Sequence, residues 1–217
     1  MKYKAAVFDL DGTLLNSLDD IASSMNAALG KMGFPAQPVE DYKIHVGDGM
    51  AVLAGRVLPE GRRTEALIAE CVALMRAEYS KNWGSTTRPY AGIPELLDGL
   101  VKRGVRLAVL SNKPDDFTQQ IVRALLPRWC FDPIFGARTG VPHKPDPAGA
   151  IELARLMNLS GGECVFLGDT YADMRAAAGA GMFPVGVTWG FRAAQELWES
   201  GARAVIDAPG ELLKILE

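Results

Sequence analysis

Six short apolar runs, set far apart, constrain this chain more than any other feature: Ala5–Phe8, Val105–Leu110, Ile134–Phe135, Cys164–Leu167, Val185–Val187 and Ala204–Ile206. Most are strand-length and rich in Val, Ile and Phe, as strands buried on both faces of a sheet must be. Helical stretches separate the later runs, at Pro94–Lys102, Pro114–Leu126, Pro147–Met157 and Ala172–Ala180. Strand alternating with helix predicts an open parallel α/β sheet of the Rossmann-like kind.

One interval breaks the alternation. After Ser17, the residues Leu18, Ile21, Met25, Leu29 and Met32 fall at helical spacing, and Ser17-Leu18-Asp19-Asp20 reads as a cap with an acid three residues on. Gly33, Pro35 and Pro38 end that helix. Ile68, Val72, Met75 and Tyr79 define a second helix, and Gly84–Gly92 reads as a return linker. The expected organisation is a helical insertion over residues 17–90 within a core of 1–16 and 91–217, with hinges at Gly12–Ser17 and Gly84–Gly92. Ser160-Gly161-Gly162-Glu163 also has capping-box spacing, but it precedes an apolar strand-like run, so no helical cap is expected there.

Composition narrows the functional classes. The 217 residues are 48% hydrophobic and 23% charged, enough for a sizeable core, with a formal net charge of −3. No Lys/Arg block suggests a nucleic acid or an anionic membrane as partner. No apolar stretch approaches a spanning length, and the N-terminal run is too short for a signal peptide. Cys71, Cys130 and Cys164 lack metal-ligand spacing and are expected to be reduced, buried thiols of a cytoplasmic protein.

In open α/β sheets ligands bind beyond the carboxyl ends of the strands, so polar residues that close apolar runs are the candidates. Ala5–Phe8 closes in Asp9-Leu10-Asp11-Gly12-Thr13, Val105–Leu110 in Ser111-Asn112-Lys113, and Cys164–Leu167 in Gly168-Asp169-Thr170, with Asp173 one helical turn on. Lys144 lies in His143-Lys144-Pro145-Asp146-Pro147, just before a predicted helix. Each has a plainer reading: a strand-end turn for Asp9 and Asp11, a helix cap for Ser111-Asn112, a loop lysine for Lys144, a first-turn acid for Asp173. Converging carboxylates would repel one another, and a hard divalent cation such as Mg2+ relieves that repulsion. Lys144 and Ser111 supply a charge and a hydroxyl suited to phosphate, and backbone N–H groups around Gly12 and Asn112 are expected at the starts of following helices. This set suits phosphoryl transfer through an aspartyl-phosphate, with Asp9 as nucleophile and Asp11 moving the proton.

The four motifs, Asp9-Leu-Asp11-Gly12-Thr13-Leu14, Ser111-Asn112, Lys144-Pro145 and Gly168-Asp169-Thr170-Tyr-Ala-Asp173, together resemble those of the haloacid dehalogenase-like superfamily of phosphohydrolases. The resemblance covers the whole core. It implies Asp9 as nucleophile and metal ligand, and Asp11 as acid/base and metal ligand through its carbonyl. It further implies Ser111 and Lys144 on the phosphoryl group, Asp169 on the metal, and Asp173 supporting it. Val46-Gly47-Asp48-Gly49, Tyr90-Ala-Gly92-Ile-Pro94-Glu95, Ser111-Asn112-Lys113-Pro114 and Gly186-Val-Thr-Trp189-Gly190 are similar to the phosphoglycolate phosphatase branch, whose substrate is a small phosphorylated metabolite. Gly47, Asp48 and Gly49 are the candidate specificity residues. Ser111 stands where Thr is frequent and keeps the hydroxyl; Asp48 stands where Asn is frequent and adds a negative charge that disfavours a carboxylated substrate. A phosphomutase similar to β-phosphoglucomutase, a pyrophosphatase and a non-catalytic phospho-acceptor module remain the alternatives, and the chain is expected as a monomer or homodimer.

Overall fold

The computed structural model describes residues 2–216. By contact density the chain divides into two units, Met1–Asn16 with Pro89–Glu217, and Ser17–Arg88.

The first unit holds a six-stranded sheet: β1 (Ala5–Phe8), β2 (Arg106–Pro114), β3 (Phe131–Ala137), β4 (Cys164–Gly168), β5 (Phe183–Val187) and β6 (Ala204–Ile206). Their spatial order is β3-β2-β1-β4-β5-β6, and every pairing is parallel. This is the doubly wound order, in which the winding reverses between β1 and β4 and opens a crevice at the strands' carboxyl ends. Residues 5–8 are completely buried, as a central strand covered on both faces requires. On one face, alternate residues of three strands (Ala5 and Val7, Ala108 and Leu110, Cys164 and Phe166) pack with Ala150, Leu153, Ala154 and Ala177 of the helices Ala148–Leu156 and Tyr171–Gly179. Small residues on both helices let them lie close to the sheet.

Register fixes where the chemistry-bearing residues emerge. Phe8 sits opposite Val109 on one side and Leu167 on the other. Asp9 therefore leaves the sheet beside Leu110 and Gly168, with Ser111 and Asp169 one residue further along their strands. The Asp9 N–H continues the ladder to the Leu167 carbonyl at 2.9 Å.

The second unit is helical, with helices Leu18–Lys31, Met50–Val57 and Glu65–Asn82 and a short turn of helix at Tyr42–His45. The two long helices pack through apolar stripes that include Ile21, Met25 and Leu29 on one and Cys71, Met75 and Tyr79 on the other, all buried. Gly33 (φ 76°) ends the first helix in a Schellman arrangement: Phe34 N–H bonds the Leu29 carbonyl at 2.9 Å and Gly33 N–H bonds that of Gly30 at 3.1 Å.

Several sequence expectations need correction. Ser17 makes no side-chain cap bond to its helix. Asp20, its expected partner in the motif, instead accepts from Thr86 and Thr87, both N–H groups and both hydroxyls, at 2.6–3.1 Å. Ser160 and Glu163 do form a capping box, closing the single 3-10 turn Gly161–Glu163, which needs no apolar run to follow it. Strand β2 continues through Ser111-Asn112-Lys113 to Pro114, so Asn112 lies in a strand and not at a helix start. Cys71 and Cys164 are buried, but Cys130 is exposed. No described helix is long and apolar enough to cross a membrane.

Candidate active site

Three carboxylates and one ammonium share the crevice between β1 and β4. Asp9 follows β1, Asp169 follows β4, and Asp173 comes from the first turn of Tyr171–Gly179; one oxygen from each lies within 4.8 Å of the others. All three are buried. Lys144 Nζ donates to Asp9 Oδ1 at 2.7 Å, Asp173 Oδ1 at 2.6 Å and the Leu110 carbonyl at 2.9 Å, which uses all three of its protons.

The loop carrying Lys144 is held by Asn112. Its side-chain amide donates to the Lys144 carbonyl and accepts from the Lys144 N–H, both at 2.9 Å. Asn112 thus acts on the lysine backbone, a role the sequence did not suggest. Asp173 serves two partners: Oδ2 accepts from Thr170 N–H at 3.0 Å and Thr170 Oγ1 at 2.8 Å, capping its helix, while Oδ1 meets Lys144. One side chain thus caps its helix and meets Lys144.

Asp169 is oriented from both sides. Thr13 Oγ1 donates to Oδ1 at 3.2 Å and Phe191 N–H to Oδ2 at 2.8 Å. Two glycines make room for it. A Cβ on Gly12 would fall 2.3 Å from Asp169 Oδ2, and one on Gly190 would fall 2.3 Å from Asp169 Cβ. Gly12 also has φ 87°, a conformation glycine adopts without strain. Its N–H bonds the Leu15 carbonyl at 2.9 Å, so Gly12 contributes space and a turn and not the expected anion donor. Trp189, beyond β5, ties the same turn down by donating Nε1–H to the Thr13 carbonyl at 3.0 Å.

The electrostatics follow from burial and charge count. Three buried carboxylates stand against one ammonium, an excess of two acidic groups. Burial pushes Asp9 up to about 6; the Lys144 ammonium opposes the rise and the Asp173 carboxylate adds to it. Asp169 is raised well above the ordinary carboxylate value by burial, then by Asp173 and Asp9. Lys144 is raised despite its burial, because Asp173 and Asp9 favour its charged form. A divalent cation would balance that excess, and an all-oxygen donor set suits a hard ion. The residues present fit such a metal.

Asp11 leaves the chain on the Gly12 turn, and Lys113 Nζ grips its carboxylate at 2.9 Å from Oδ1 and 2.8 Å from Oδ2. Ser111 is buried, and its Oγ accepts from the Lys113 N–H at 3.3 Å. Lys113 closes the second apolar run with Ser111 and Asn112, but sequence reading assigns it no role of its own. Its signal was its place two residues after Ser111 and directly before Pro114.

Gly47, Asp48 and Gly49 lie in the helical unit. The two glycines have φ 125° and 92°, making a tight turn into the helix Met50–Val57. Asp48 is ion-paired with Arg56, whose guanidinium also donates to the His45 carbonyl at 2.8 Å. The extra negative charge at this position is therefore compensated by its neighbour.

Comparison with known proteins adds an independent line. A family model described as haloacid dehalogenase-like hydrolase matches residues 3–181. A phosphoglycolate phosphatase of Haemophilus influenzae (strain 86-028NP) is 32% identical, with 99% of each chain covered. A phosphoglycolate phosphatase of Pseudomonas putida is 31% identical over 94% of this chain and 76% of its own length. The crystal structure of a predicted phosphoglycolate phosphatase from Haemophilus somnus 129pt superimposes with a TM-score of 0.92 at 30% identity, covering 100% of this chain and 99% of that one.

Proposed function

The chain belongs to the haloacid dehalogenase-like hydrolases and is a phosphatase, and we propose that 2-phosphoglycolate is its substrate, magnesium its metal and Asp9 its phosphoryl acceptor. The observation that carries this reading is the convergence of Asp9, Asp169, Asp173 and Lys144 at the point where the sheet's winding reverses. The relatives named as phosphoglycolate phosphatases carry the choice of substrate. The Asp48–Arg56 pair removes the charge objection to a carboxylated one.

Asp9 and Asp169, with the carbonyl of Asp11, would hold the ion and Asp173 would support it; the ion would supply charge neutralisation for the phosphoryl oxygens. A carboxylate oxygen of Asp9 attacks phosphorus, and the bond from phosphorus to the ester oxygen breaks. The departing alkoxide takes a proton from Asp11. A water molecule then attacks the phosphorus and gives its proton to Asp11, the bond to Asp9 breaks, and inorganic phosphate leaves. Lys144 and the Ser111 hydroxyl supply a positive charge and a donor for phosphoryl oxygens. The helical unit acts as a cap that excludes water during the first transfer.

Phosphate release from 2-phosphoglycolate, pyrophosphate and hexose phosphates, with and without Mg2+, tests this directly. Turnover is expected on 2-phosphoglycolate with metal, and Asp9→Asn should lower it by more than about a thousandfold. Full activity in Asp9→Asn overturns the acceptor assignment. Activity confined to pyrophosphate or hexose phosphates overturns the substrate.

A further inference from the structure

Lys113 is buried, with its side chain 5% exposed, and its ammonium meets both oxygens of Asp11. Its backbone is braced on two sides. The N–H donates to Ser111 Oγ at 3.3 Å, and the carbonyl accepts from Thr118 Oγ1 at 3.2 Å. Asp11, in contrast, comes from a turn in which Gly12, Leu14 and Leu15 N–H groups bond the carbonyls of Leu15 and Leu10. A rigid strand end therefore holds a carboxylate that its own backbone leaves on a loop.

Stability is a poor reason for such a pair. Taking a carboxylate and an ammonium out of water costs about as much as their attraction returns, so apolar replacements are often neutral. What the contact does supply is position, because one ammonium centred between both oxygens keeps the carboxylate at a set distance from the strand end.

We propose that Lys113 is the positioning residue that holds the Asp11 carboxyl within reach of the leaving-group oxygen. The proposal rests on Asp11 being the acid/base of the reading above. Proton transfer requires heavy atoms about 2.6–3.2 Å apart, and a displacement of about 1 Å can cost about a hundredfold. Lys113 does not touch the phosphoryl group in this role; it acts through Asp11.

The requirement for a proton depends on the leaving group, which gives a readout that a structural role would not move. An alkoxide must be protonated as it departs, whereas a nitrophenolate leaves without a proton. The kcat/KM value counts steps only up to that departure. For Lys113→Met, kcat/KM is expected to fall about a hundredfold on 2-phosphoglycolate and less than about fivefold on p-nitrophenyl phosphate; the variant leaves the Asp11 carboxylate without its ammonium and should melt below wild type, a loss common to both substrates that their ratio removes. Lys113→Arg keeps the charge but changes the grip, and it should show the same split at an intermediate size. It also serves if the Met variant does not fold. Equal losses on both substrates, or no loss on either, overturn the proposal. Asp11→Asn separates the two levels of inference: a split there without one in the Lys113 variants sinks the positioning role alone, while no split in Asp11→Asn sinks the acid/base reading beneath it.

Discussion

Replacing Asp20 should loosen the return of the helical unit, because one buried carboxylate satisfies four donors of Thr86 and Thr87. The magnitude turns on which donors water can reach. Thr86 is exposed and rebonds to solvent at little cost. Thr87 is fully buried, so in Asp20→Ala its N–H and hydroxyl, now 2.9 and 2.6 Å from Oδ2, lose their acceptor. At about 1–3 kcal/mol for each of the two stranded donors, the loss is about 2–6 kcal/mol. Asp20→Asn keeps one acceptor oxygen but turns an NH2 towards the same donors, and should cost roughly half as much. Native-state hydrogen exchange of the Thr87 amide reads this locally, and protection should drop by about two orders of magnitude in Asp20→Ala. Acid provides a second test. Burial raises the Asp20 carboxyl, but the bonds from Thr87 and Thr86 outweigh it and hold its pKa below the ordinary value. A depressed carboxylate contributes fully above its unfolded pKa of about 3.9 and loses its contribution as pH falls through the folded value. The wild-type advantage over Asp20→Asn should therefore be constant near neutrality and shrink below about pH 4. Unchanged Thr87 exchange in Asp20→Ala, or an advantage that persists undiminished in acid, would refute the reasoning.

Three further outcomes follow from the site. Mg2+ at about a hundred times its dissociation constant should add about 2.7 kcal/mol to unfolding; thermal melts should show that gain in wild type and lose it in Asp169→Asn, and a chelator should abolish turnover. Gly12→Ala would set a Cβ 2.3 Å from Asp169 Oδ2 at a backbone φ of 87°, so calorimetric titration should find weaker metal binding and kinetics a lower kcat. Asn112→Ala removes both bonds that fix the Lys144 backbone; it should cost about 1–3 kcal/mol in denaturant unfolding and reduce kcat/KM at least tenfold as Lys144 loses its place.

The parts legible in the sequence were those set by local pattern. Ala5–Phe8 and Cys164–Leu167 announce buried strands, and Asp9 and Asp169 announce themselves by closing those runs. Ile21, Met25 and Leu29 announce a helix face. What stayed hidden depends on partners far along the chain. Asp20 has capping-box spacing from Ser17, yet Thr86 and Thr87, 66 and 67 residues away, take its oxygens. Lys113 looked like a residue before a helix, and only the 102-residue contact with Asp11 gives it a role. Asn112 stands out for closing its run, but its amide bonds the Lys144 backbone, which sequence spacing cannot bring near it. Ser160–Glu163 failed for the opposite reason: a local pattern sufficed, and the rule that an apolar helix must follow it was too strict.

The central claim is that phosphate passes through Asp9. Asp11→Asn, given p-nitrophenyl phosphate and Mg2+, should complete the first transfer without a proton and stall before the second. Acid quenching and peptide mass spectrometry should then find one phosphoryl group on the peptide containing Asp9, and none when Asp9→Asn is added. A burst of nitrophenolate with the phosphoryl group on another residue, or with no covalent phosphoryl at all, would contradict the account.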